Sequence, residues 1–179
     1  MIARRFLPFA LLGLLPFVSA GSAADTVWLL GGRPVPGPLP PSAAADRPDL
    51  DEQLDIVYGT ADGQLLKLDF AKPTLCRDQV VPLVVYVHGG SWDSGDKSIA
   101  YEMNDARMFF QLGFAVASIN YRLTPAYKFP AQVYDCKLAI RYLRQNAGSL
   151  GFDPDRIGIW GPSAGGHLVA MMGLAGPGD

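Results

Sequence analysis

Ser163 stands in Gly161-Pro162-Ser163-Ala164-Gly165, a G-x-S-x-G pattern between a short apolar run, Arg156 to Trp160, and a helix-like stretch, His167 to Leu174. A serine hydroxyl is useful as a nucleophile where a tight strand-to-helix turn exposes it and fixes its direction, and Gly161, Gly165 and Gly166 allow strand and helix to approach closely enough for such a turn. The spacing therefore predicts Ser163 as a nucleophile attacking a carbonyl carbon. The Ala164 N–H, at the start of the helix, is predicted to face the oxyanion that forms. An ordinary Gly-rich turn or a phosphate-binding loop is the competing reading of the same five residues. What precedes them weighs against it: His88-Gly89-Gly90-Ser91-Trp92 follows the apolar Leu83 to Val87 run, where a Gly-rich bend can turn successive N–H groups towards Ser163 and complete an oxyanion hole.

A base to take the serine proton is harder to find. The chain has two histidines. His167 falls one turn into the helix that starts at Ser163, so its side chain is expected near the sheet while the hydroxyl points outward. His88 precedes the Gly-rich bend and is expected to tie it down through ring hydrogen bonds. The residues after Ser163 otherwise offer Asp179 at the end of the chain. The sequence thus carries a nucleophile without a matching acid and base.

The elements that must position these groups alternate in kind. Ile56 to Tyr58 and Leu65 to Phe70 flank Asp62-Gly63 and predict an antiparallel hairpin. Pro82 to Val87 reads as a strand buried on both faces. Met103, Ala106 and Phe110 recur at helical spacing before Gly113 and the apolar strand Phe114 to Asn120. Pro130 suits a first helical turn; Val133, Cys136, Ile140 and Leu143 then mark one helix face, with an end expected around Gly148. Arg156 to Trp160 is a further short strand. Strand and helix in alternation predict a mostly parallel, doubly wound α/β sheet with helices on both faces.

Taken together, HGGSW at 88–92, NYRL at 120–123, FPA at 129–131 and GPSAGGH at 161–167 resemble the α/β-hydrolase superfamily, and within it the hormone-sensitive-lipase-like and BD-FAE-type carboxylesterases and carbohydrate deacetylases. The resemblance covers roughly residues 50–175. It implies Ser163 as nucleophile, the N–H groups of Gly90, Ser91 and Ala164 as oxyanion donors, and His88, Gly89, Gly161 and Gly165 as structural support. Ser91 stands where related lipases carry a third glycine. A histidine at the place of His167 is structural in relatives. The resemblance also implies a small-molecule ester substrate, of small-acyl or carbohydrate type, and no metal or organic cofactor. In that superfamily the triad acid and base follow the nucleophile, so they are expected beyond residue 179: the chain is expected to be the N-terminal portion of a longer hydrolase, inactive by itself. A serine peptidase of the same fold is an alternative that NYRL and FPA disfavour. A non-catalytic binding protein on the same scaffold is another, disfavoured by the intact Ser163 and oxyanion loop.

Residues 1–24 carry Arg4 and Arg5, an apolar stretch from Phe6 to Val18, and small residues suited to cleavage near Ala20 or Ala24, the pattern of a secretory signal peptide. The apolar stretch is shorter than a membrane span needs and contains Pro8, Gly13 and Pro16, so a secreted or periplasmic protein without a stable membrane span is expected. Residues 25–49, dense in Pro, Ala and Gly, read as a linker, and residues 50–179 as the hydrolase portion. Of 179 residues, 49% are hydrophobic and 18% charged, with a formal charge of −2, which excludes a disordered chain and a basic nucleic-acid-binding surface. Two histidines leave little material for a His-based metal site, and two cysteines are too few for a disulfide scaffold. Cys136 falls on an apolar helix face, which disfavours a bridge to Cys76. Asp93, Asp96 and Lys97 are expected on a solvated loop. Trp92, Tyr121 and Phe129 are read as cleft-lining or core aromatics. Oligomeric state is not legible.

Overall fold

The run VPLVVYV alternates its side chains between two faces and is apolar on both, so it can satisfy itself only at the centre of a covered sheet. A computed structural model, which describes residues 49–98 and 106–174, places it there. The leader and almost all of the linker fall outside those residues. The chain begins with the hairpin β1 (Leu50–Ala61) and β2 (Gln64–Pro73), longer at both ends than the apolar pattern predicts. Its turn uses positive φ at Asp62 and Gly63, 48° and 77°, the geometry that matches the twist of paired strands. β3 (Val81–Val87) follows, then α1 (Arg107–Gln111), β4 (Ala115–Ile119), α2 (Ala131–Gln145), α3 (Ala147–Leu150), β5 (Phe152–Trp160) and α4 (Ala164–Leu174). Met103, expected on the face of α1, lies outside the described residues.

The strands form one sheet in the order β1-β2-β4-β3-β5. β1 pairs with β2, and β2 with β4, antiparallel; β3 lies parallel to both β4 and β5. The sheet is thus mixed, with β3, β4 and β5 parallel and the N-terminal hairpin antiparallel at one side, as the sequence predicts. On one face Leu83, Val85 and Val87 join Ala117, Ile119, Leu68 and Phe70 under Cys136, Ala139 and Leu143 of α2 and Leu168 of α4. On the other, Val84, Tyr86 and Val116 pack against Phe109, Phe110 and Phe114 around α1. The sheet is therefore doubly wound.

Two boundaries differ from the sequence expectation. α2 ends at Gln145, and the short α3 carries the chain to Gly151, whose φ of 73° makes the stop expected near Gly148. β5 begins four residues before Arg156, because Phe152 pairs with Val81 and is buried against Phe70. The two cysteine thiols are free and buried, and burial pushes the Cys136 thiol well above its ordinary range.

One polar cluster sits inside this apolar frame. Arg122, just past β4, meets Asp135 of α2 in a two-pronged ion pair, Nε to Oδ2 at 2.8 Å and Nη2 to Oδ1 at 2.7 Å, and the Arg122 backbone N–H donates to the same carboxylate at 2.9 Å. Arg122 also reaches Asp62 in the hairpin turn. The Asp135 side chain is 2% exposed. Removing one member of a buried pair strands the other charge, which costs about 3–5 kcal/mol. Asp135→Asn is therefore expected to lower unfolding stability in urea by several kcal/mol; a loss under about 1 kcal/mol would mean that water reaches Arg122.

Candidate active site

β3 and β5 run parallel with Tyr86 level with Trp160, so both strands end at the same edge of the sheet and their following loops leave side by side. In open α/β sheets this carboxyl edge is where ligands bind. The loop after β5 turns sharply into α4. Ser163, at its apex, has φ 51°, in the left-handed region that a non-glycine residue occupies at a cost of about 1–3 kcal/mol, and it is exposed. The first helical hydrogen bonds run from Gly166 N–H to the Pro162 carbonyl, 3.2 Å, and from His167 N–H to the Ser163 carbonyl, 3.1 Å. Ala164 precedes them, so its N–H belongs to the first turn, which has no intrahelical acceptor. The turn fits because it lacks side chains where it meets β3: a Cβ on Gly161 would lie 2.2 Å, and one on Gly165 2.0 Å, from the Val87 carbonyl oxygen.

The loop after β3 lies against this turn. A Cβ added to Gly89 would stand 3.2 Å from the Pro162 carbonyl oxygen and 3.4 Å from the Ser163 Cβ. Gly90, Ser91 and Trp92 then take φ of 103°, 52° and 63° in succession. Asp93 and Ser94 N–H groups close back on the Gly90 carbonyl at 3.0 Å each. The residues expected to serve as nucleophile and oxyanion donors are thus neighbours at one sheet edge.

His88 is 1% exposed. Its ring stacks on Tyr121 at 4.2 Å between centroids and 14° between planes, and its Nδ1 lies 2.7 Å from the Gly89 carbonyl oxygen. The Tyr121 hydroxyl donates to the His88 carbonyl at 2.9 Å. Burial holds the His88 pKa below its ordinary value, against a smaller opposing pull from the Gly89 carbonyl and Asp96. Tyr121 is accordingly a core residue that seats the loop. His167 is exposed, and its ring meets the Trp92 ring edge-on at 5.3 Å. Phe129 is 62% exposed, and Trp92, at 38%, leans over the first turn of α4.

The expectation of a solvated loop at 93–97 holds for Asp93 and fails for Lys97. Lys97 is 9% exposed, with its ammonium 3.0 Å from Asp69 Oδ2 and 3.2 Å from Asp55 Oδ1. Burial would lower its pKa, but Asp69 and Asp55 overrule burial and hold it above the ordinary value. Asp96 accepts from Ser98 N–H and from Asn120 Nδ2. The sequence did carry a signal: Asp69 interrupts the apolar strand LLKLDFA, and an acid at a buried strand position calls for a cation. Among the described residues no cluster of His, Cys, Asp and Glu could hold a metal ion, and no helix is long and apolar enough to cross a membrane.

Solved structures share this fold. The chain superposes with TM-score 0.63 and 32% identity on an inhibited esterase B of Lactobacillus rhamnosis, covering 73% of this chain and 42% of that one. It superposes with TM-score 0.59 and 32% identity on the Est2 esterase of Thermogutta terrifontis, covering 70% and 46%. The fold is that of the α/β-hydrolases. The BD-FAE family model matches residues 68–178, and the chain belongs to that family. It is similar to esterase LipQ of Mycobacterium tuberculosis, 35% identical over 161 residues, and to an arylesterase of Saccharolobus solfataricus, 48% identical over 93 residues. These matches take in 89% and 51% of this chain, and the chain spans only 36% and 30% of the length of those relatives.

Two outcomes are expected from this geometry. Gly165→Ala forces a Cβ into the Val87 carbonyl and should cost about 1–3 kcal/mol or more in urea unfolding, whereas Gly148→Ala, in open space, should be near neutral. Equal effects would show that the turn can move off β3. Because the His88 pKa is lowered on folding, the neutral ring's contribution is complete above the unfolded value of about 6.5 and is lost as pH falls through the folded value. The melting temperature of the wild type should therefore fall more between pH 7.5 and 5 than that of His88→Asn; parallel slopes would show that His88 protonates without penalty.

Proposed function

We propose that the protein is an exported serine carboxylesterase that works through an acyl-enzyme on Ser163. The observation that carries this reading is the strained, exposed Ser163 at φ 51°, set at the carboxyl edge of the sheet beside the Gly89–Trp92 bend. In the proposed reaction Oγ attacks the ester carbonyl carbon, the carbonyl oxygen gains negative charge, and the N–H groups of Gly90, Ser91 and Ala164 hold it. The tetrahedral adduct collapses with loss of the alcohol, and water then cleaves the acyl-serine to return the hydroxyl and release the acid. His88, Gly89, Gly161 and Gly165 are the support on which the donors and nucleophile sit. Similarity to proteins named esterases supports the ester, and membership of the BD-FAE family supports a small-acyl or carbohydrate ester as substrate.

His88 is committed to Gly89 and Tyr121, and His167 sits one helical turn beyond Ser163 against Trp92. Neither imidazole is therefore assigned as the proton acceptor. The leader at residues 1–24 supports export to the periplasm or beyond the cell.

A fluorophosphonate probe and p-nitrophenyl acetate test the reading together. Ser163 should be the labelled residue, and Ser163→Ala should abolish labelling. With no base assigned within it, the 179-residue chain should hydrolyse the ester far below about 1 s⁻¹ and no faster than Ser163→Ala, since both retain the oxyanion hole, which supplies what catalysis remains when triad members are missing. Turnover at ordinary enzyme rates would place a base within the chain. A fluorophosphonate label on the folded chain at a residue other than Ser163 would remove Ser163 from the mechanism.

A further inference from the structure

The Gly90–Trp92 bend presents a mechanical problem. Three consecutive residues hold positive φ, two of them non-glycine, and such conformations persist only where the surroundings over-determine them. One end of the loop is fixed by β3 and by His88 on Tyr121. A loop fixed at one end would relax.

The other end is Lys97, and every polar handle it has is used on the neighbouring strands. Its N–H donates to Asn120 Oδ1 at 2.7 Å, its carbonyl accepts from the Ser118 hydroxyl, and its ammonium lies between Asp69 of β2 and Asp55 of β1. Asp69 is itself spread over both strands, since its Oδ1 accepts the Asp55 N–H at 2.8 Å while its Oδ2 accepts from Lys97. Asn120, which receives Lys97, donates in turn to Asp96. Residues 96–97 are therefore fastened to β4, β2 and β1, on the side of β3 away from β5. Tyr121, which seats His88, follows directly after Asn120, so both ends of the loop are fastened to the same two consecutive residues.

We propose that Lys97 is a positioning residue: its ion pair with Asp69 and Asp55 holds the 88–97 loop between two anchors and so keeps the Gly90 and Ser91 N–H groups aimed at the carbonyl that Ser163 attacks. This rests on the esterase reading above. It assigns a function in catalysis to a charge remote in sequence from the serine, and it gives the N-terminal hairpin, which carries both acidic partners, a part in the active site.

The test is made on the 179-residue chain with two independent readouts. In hydrogen exchange, Lys97→Met should increase the exchange of amides 89–95 at least tenfold while amides of β3 and α2 keep their protection. In p-nitrophenyl acetate hydrolysis, the residual kcat that the oxyanion donors supply should fall at least about tenfold with KM changed less than threefold, because the donors act on charge that develops in the transition state. Lys97→Arg should restore most of both. Asp69→Asn, which alters charge without altering size, should reproduce the pattern, and it carries the test if Lys97→Met fails to fold. Unchanged exchange at 89–95 overturns the clamp. Raised exchange with unchanged kcat overturns its role in catalysis. If fluorophosphonate does not label Ser163 in the folded wild type, the esterase reading fails, and the exchange data still decide whether Lys97 holds the loop.

Discussion

The rest of the structure depends on how closely the first turn of α4 approaches the last carbonyls of β3. A Cβ at position 161 or 165 would fall well inside van der Waals contact distance of the Val87 oxygen. That contact fixes where the helix starts, and Pro162 and Ser163 must then cross the end of the sheet with a backbone bend that puts Ser163 in the left-handed region. The strain is sustained because the strand beneath is packed on both faces. β3 is buried along its whole length, with α2 and α4 on one face and α1 on the other, so the turn has no soft surface into which to relax.

The two edges of the sheet are held by different chemistry. At the carboxyl edge of the parallel strands the buried polar groups are ion pairs and their satellites: Arg122 with Asp135 and Asp62, and Lys97 with Asp69 and Asp55. At the opposite edge Lys72 donates to three backbone carbonyls, those of Arg77, Gln79 and Gly151, at 3.0, 2.7 and 3.1 Å. These charge-assisted bonds close the chain entering β3 against the chain leaving α3. Directional pairs thus accumulate where loops must keep a functional shape.

The parts of the fold that follow from local pattern were legible in the sequence. Pro82 to Val87 could only be a central strand, Asp62-Gly63 could only turn a hairpin, and Val133, Cys136 and Leu143 define one face of α2. The neighbourhood of Ser163 and Gly89 followed from two motifs that each end an apolar strand. What local pattern cannot show is which polar residues become buried by a distant partner. Lys97 sits in a stretch, DSGDK, whose composition is that of a solvated loop; its burial is decided by Asp69, 28 residues earlier. Tyr121 and Arg122 are adjacent, yet one is stacked on His88 and the other paired with Asp135, and neither fate can be read from NYRL itself.

The two histidines illustrate the same division of labour. An imidazole that is to take a serine proton needs a free ring nitrogen near Oγ and a pKa close to the working pH. His88 is buried, its pKa is depressed by that burial, and its Nδ1 and its π-face are both engaged, so it suits a neutral anchor better than a base. His167 is exposed, but its main chain belongs to the first turn of α4 and its ring lies against Trp92, the last of the three left-handed residues in the 90–92 bend. Each imidazole thus touches the 88–97 loop, one from below and one at its rim. In the proposed reaction the exposed side of Ser163 is left to the substrate and to the base, which must approach from there together if a single hydroxyl is to lose its proton as it attacks.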